Sequence, residues 1–151
     1  MNKVTGIYLS FIFLLIYQLG FTQFTAIKEK KIDQRSLDKA IELAEKLMNG
    51  MKTANYYMLT EDEATAAMIK GLSDEIQKSV YERIKSENGD YDSMKFIEAL
   101  QPDNNKDLTI YRFQGIFKDN ESGPEIRVVM NKELKLSGFW LLPWKDEVDT
   151  P

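Results

Sequence analysis

The sequence predicts an α+β domain, and three observations carry that prediction. Leu108 to Trp144 reads as consecutive strands joined by short loops. Apolar positions from Gln34 to Met51 recur at helical spacing. Helical sequence comes first and strand sequence last, an order that builds an antiparallel sheet with the helices on one face. The expected architecture is N-terminal helices packed on a curved antiparallel sheet of three to four strands.

The long helix is predicted over Gln34 to Met51. Leu37, Ala40, Ile41, Ala44, Leu47, Met48 and Met51 share one face, and Lys39, Glu42, Glu45 and Lys46 take the other. Asn49 and Gly50 read as its stop signal. Tyr56 to Leu59 reads as a helical turn tucked against the edge of the core. Thr60-Glu61-Asp62-Glu63 has the form of a capping box that opens a second helix carrying Ala64, Ala67, Met68 and Leu72. Ser73 caps a third, with Ile76, Val80, Tyr81 and Ile84 inward. Asn88-Gly89-Asp90 ends it with turn chemistry.

Tyr91 to Leu100 alternates weakly and is predicted as a first strand, followed by a polar loop from Gln101 to Asp107. The meander then begins. Tyr111, Phe113 and Phe117 fall on one side of its first strand. In the next, Ile126, Val128 and Met130 face opposite to Glu125, Arg127 and Asn131. LKLSGFWLLPW closes the sheet. One face of this meander is apolar, and the upstream helices are the material available to cover it.

The chain has 151 residues, 43% hydrophobic and 29% charged, with a net charge of −4. That is enough for one domain with a real core. Lys and Arg are interspersed with acids and form no basic face, so a nucleic-acid partner is not expected. Val4 to Phe21 carries no charge and follows a lone Lys3, which predicts a signal peptide over residues 1–22 cleaved near Thr22-Gln23. The competing reading is an uncleaved membrane anchor, because the run is just long enough to span a bilayer. Gln18 and two tyrosines weaken such a span, and the lysines at Lys28 to Lys31 would sit on its wrong side. Both readings place the folded domain outside the cytoplasm, with a membrane involved only if the leader is retained. Residues 23–33 are then a linker, 34–146 the domain and 147–151 a tail.

The chain has no Cys and no His. An exported domain without disulfides is held by packing alone, which suits a bacterial periplasm or cell envelope. No Cys follows the leader to carry a lipid. Ser-His-Asp and Cys-His systems and His-liganded zinc are excluded. Asp103-Asn104-Asn105-Lys106-Asp107 starts like a calcium loop, but Leu108 stands where Gly is needed and Gln114 where a bidentate Glu is needed. It reads as a turn. No metal or cofactor is expected.

The helix ending VYERIKSENGDYDS, the Tyr/Phe-rich strand and the closing hairpin VVMNKELKLSGFWLLP resemble a bacterial family of exported domains of unknown function with the cone-shaped fold of nuclear transport factor 2, also called cystatin-like. Tyr81, Gly89, Tyr91, Gly138 and Pro143 carry the resemblance, which spans Leu37 to Pro143. It implies a curved sheet and helices enclosing a pocket that different members use for catalysis, ligand carriage or dimer contacts. Members resembling ketosteroid isomerase need an acid on a strand, paired with a Tyr or a protonated acid in an apolar pocket. Here no Asp lies on the three strands of the meander, and Glu125 stands on the polar side. The expected function is therefore a non-catalytic binding or accessory domain. Its pocket candidates are Tyr57, Tyr81, Tyr111, Phe113 and Trp140, with tyrosine hydroxyls at the mouth and a small apolar ligand inside. Core filling is the competing reading of these aromatics. The FWLLPW segment raises a structural homodimer through the sheet, and a carboxylate-dependent hydrolase or isomerase is the further alternative.

Overall fold

The computed structural model describes residues 23–146 and 148. The predicted leader and residues 147 and 149–151 of the predicted tail lie outside them. Along the chain run β1 (Phe24–Ala26), a 3-10 turn (Glu29–Lys31), α1 (Gln34–Lys52), α2 (Ala66–Gly71), α3 (Asp74–Asn88), β2 (Tyr91–Pro102), β3 (Leu108–Phe117), β4 (Glu125–Asn131) and β5 (Leu136–Leu142). The strands form one antiparallel sheet in the order β1-β2-β3-β4-β5. The α+β class stands. The sheet has five strands where three to four are predicted, and the added one, β1, falls in the predicted linker. It is too short to show an alternation, and it pairs with the end of β2, Ala26 opposite Leu100 and Phe24 opposite Pro102, the last two residues of β2 being ones the sequence reads as loop.

The three described helices lie on one face of the sheet. Helix α1 starts at Asp33, whose carboxylate accepts from the amides of Arg35 (3.0 Å) and Ser36 (3.3 Å). It buries Leu37, Ala40, Leu43, Ala44, Leu47, Met48 and Met51 against the sheet. From the sheet, Tyr91, Tyr111, Phe113, Phe117, Ile126, Val128, Met130, Leu136, Phe139 and Leu141 join the same cluster. A bulge between Val129 and Met130 shifts the register of β5, so Leu136 reaches the face that Phe139 and Leu141 share.

Three local expectations are corrected. Helix α1 ends at Lys52, one residue past the predicted Met51, with Gly50 in its last turn. A Cβ at Gly50 would lie 2.9 Å from both the Asn55 carbonyl and the Tyr57 amide, so the glycine permits the chain to double back over the helix. Tyr56 to Leu59 is irregular rather than helical. Thr60–Glu63 is a turn, with the Glu63 amide bonded to the Thr60 carbonyl (3.0 Å), and α2 begins later, capped by Thr65. In α3, Ser73 caps as predicted, but Ile76 faces outward. Gln77 takes the inward position and donates to the carbonyls of Tyr57 and Leu72, both at 2.8 Å.

Candidate functional site

The predicted pocket residues fall in different places. Tyr111 and Phe113 are fully buried in the layer between helices and sheet. The Tyr111 hydroxyl has no hydrogen bond among the described residues, and burial raises its pKa; Ser36 and Thr109 ease that shift without meeting hydrogen-bond geometry. Tyr81 is buried where α3 meets β2; its hydroxyl accepts from the Tyr91 amide (3.0 Å) and donates to Asp90 (3.2 Å). Tyr57 stands half-buried at the core edge and donates to Glu63 (2.6 Å). Trp140 lies on the opposite face of the sheet, with Leu100, Leu108, Ile110 and Val129. Four of the five thus belong to the helix side, and Trp140 does not join them.

At the end of the sheet where β2 begins, an open concavity of about 370 Å³ carries Lys52, Asp90, Asp92, Lys118 and Glu121 above Tyr91. None of the five candidates lines it. Its rim mixes both signs of charge and offers no converging set of donors or acceptors.

The most heavily built feature lies on the outer face of the sheet, away from the helices. Because Tyr111 and Phe113 point to the core, Arg112 between them points outward. An outward arginine on a central strand would ordinarily reach water, yet Arg112 is 0% exposed. Its Nη1 bonds Glu98 on β2, and its Nη2 bonds Glu125 on β4 (2.9 Å). Glu125, 1% exposed, also accepts from Arg127 Nε at 2.6 Å. Burial works against both ions. Even so, Glu125 and Glu98 outweigh desolvation and keep the Arg112 pKa raised, while Arg112 and Arg127 keep that of Glu125 lowered. Both stay charged.

What covers this network is the chain's own C-terminal segment. After β5, Pro143–Asp146 folds back as a strap across the outer face. The Lys145 carbonyl accepts from Arg112 Nη2 (2.6 Å), and the Trp144 ring lies 5.1 Å from the guanidinium, a cation–π distance. Trp144 Nε1 donates to Asp146 (3.0 Å), which stiffens the strap. Farther along, Val148 packs on the apolar patch of Leu100, Leu108, Ile110 and Val129. Arg112 Nε and Trp140 Nε1, both buried on this face, have no acceptor among the described residues.

The sequence points to Trp140 but not to Arg112, which alternation alone assigns to solvent. A signal was present: Leu108, Ile110 and Val129 give the nominally polar side of β3 and β4 an apolar half, and FWLLPW supplies material to cover it.

The five residues that carry the family resemblance have structural roles. Tyr81 and Tyr91 pin the turn into β2, Gly89 takes a φ of 78°, Gly138 lies beneath the Trp140 ring, and Pro143 starts the strap. Comparison with known proteins finds no matching family model, no matching curated protein and no matching solved structure. Among the described residues, no helix is long and apolar enough to cross a membrane.

Proposed function

We propose that this chain is an exported, non-catalytic binding or accessory domain of a bacterial envelope, built on a nuclear-transport-factor-2-like cone, that engages polypeptide through the outer face of its sheet. The observation that carries this reading is Arg112. A guanidinium at 0% exposure, on a sheet face that none of the described helices covers, needs an occupant on that face, and a stretch of extended polypeptide provides it. The buried acids support the non-catalytic half of the proposal. A general acid needs a raised pKa, whereas Glu125 is lowered by its arginines. Glu63 is held at about 2: burial raises it, but Tyr57, Thr60 and Lys46 outweigh that.

One observation favours a second reading, the small apolar ligand. The Tyr111 hydroxyl is buried beside Phe113 without a hydrogen bond among the described residues, and a ligand entering between helices and sheet would supply one. Thermal shift of the purified domain against a panel of unstructured peptides, lipids, sterols and glycans separates the two. Stabilisation by peptides is the expected result. Stabilisation by lipids or sterols alone would replace the first reading with the second, and turnover of any panel member would overturn the non-catalytic assignment.

A further inference from the structure

We propose that the strap, Pro143–Asp146, is the resident occupant of a peptide-binding site centred on Arg112, and that its competitor is an extended segment of another protein bearing an aromatic side chain followed by an accessible main-chain carbonyl. The inference rests on the binding role proposed above and specifies its ligand. The strap itself shows which chemistry the site takes. It contributes one aromatic ring, from Trp144, and one main-chain carbonyl, from Lys145. The carbonyl is available from any residue type, so the site selects for backbone and one ring rather than for a long sequence.

Charge balance decides against an anionic ligand. Arg112 and Arg127 face Glu98 and Glu125, two cations against two anions. A phosphate or carboxylate would add an unpaired negative charge to a desolvated site, whereas a neutral carbonyl adds none. The strap is also an incomplete occupant. Among the described residues, Arg112 Nε, at 0% exposure, has no acceptor beneath it, and Trp140 Nε1 on the same face has none either. A segment that presents one more carbonyl there gains a hydrogen bond that the strap does not make. Pro143 has no amide to lend to a sheet ladder and stands exposed at the start of the strap, so the segment beyond it can lift without unzipping β5.

The test uses the end-blocked, dye-labelled peptide Leu-Pro-Trp-Lys-Asp, copied from Leu142 to Asp146, and the same peptide with Ala in place of Trp. Anisotropy is read with the wild-type protein and with Trp144→Ala, which weakens the strap's hold and leaves the receiving residues in place. The expected result is binding about tenfold tighter to Trp144→Ala than to wild type, the size of a partly desolvated cation–π contact. The Ala peptide should bind neither. Equal affinity for both proteins, or no binding to a Trp144→Ala protein that melts like wild type, would overturn the proposal. Should Trp144→Ala fail to fold, Pro143→Gly loosens the strap with every contact residue retained, and the same comparison applies. Stabilisation by panel peptides with no gain in Trp144→Ala would remove this site while leaving a peptide-binding role elsewhere on the domain.

Discussion

At Arg112 the desolvation of a guanidinium is offset only while Glu98, Glu125 and the Lys145 carbonyl stay in place. Arg112→Met leaves Glu125 buried with Arg127 as its remaining cation, and the expected cost is about 3–5 kcal/mol, read from the urea midpoint. The double variant Arg112→Met/Glu125→Met removes both desolvated charges and should recover most of that loss. A single variant costing under about 1 kcal/mol would mean that this face is hydrated in solution. Glu63 makes a pH-dependent contribution of definite sign. Its folded pKa of about 2 lies below the ordinary 4.5, so folding favours its ionised form. Its stabilisation is complete above about pH 4.5 and is lost as pH falls toward 2. Lowered Glu125 titrates in the same direction. Glu63→Gln should flatten this acid limb, measured by melting temperature from pH 6 to pH 2, while the wild type keeps the steeper fall.

Among the elements, α1 tests whether the chain after it doubles back. Glycine to alanine within a helix ordinarily stabilises, by about 1 kcal/mol. At Gly50 the sign reverses, because the new Cβ would press on two backbone atoms, the Asn55 carbonyl and the Tyr57 amide. Gly50→Ala is expected to destabilise by about 1–3 kcal/mol by urea denaturation, and a stabilised variant would show that Asn55–Tyr57 does not return over the helix. The same place shows where sequence reading succeeds and where it stops. The face of α1, the Ser73 cap and the alternation in β3 and β4 are legible because each is a local pattern with one dominant period. The return of Tyr56 to Leu59 across Gly50 is a tertiary contact, and the glycine that permits it looks in sequence like a stop. Thr60 to Glu63 has capping-box residues, yet Glu63 bonds back to the Thr60 amide (3.1 Å) around an isolated turn, because Ala64 is drawn to Leu136 beside β5. β1 was illegible for another reason, since its three residues have meaning only beside β2. Among the site residues, Tyr111 and Phe113 were placed on the correct strand face. The burial of Arg112 shows in the sequence only indirectly, through the apolar half of that face, because it depends on a strap that arrives from 33 residues downstream.

For the whole molecule, the consequence is a sheet covered on both sides by unlike material, helices on one and the chain's own strap on the other. Protection should follow that arrangement. Amides of β3 and β4, paired on both edges, are expected to exchange slowest. The first half of β2 should exchange sooner, because β1 reaches only Leu100 to Pro102 and the bulges at Tyr91/Ser93 and Phe96/Glu98 disturb that edge. Uniform protection along β2 would mean that something else pairs with it. The central claim, that the outer face is closed over Arg112 by the strap, is tested most directly by nuclear Overhauser contacts from the Trp144 indole. Cross-peaks between that ring and the Arg112 side-chain protons are the expected result. An indole that shows contacts to its sequence neighbours alone, with Arg112 exchanging freely with water, would contradict the account.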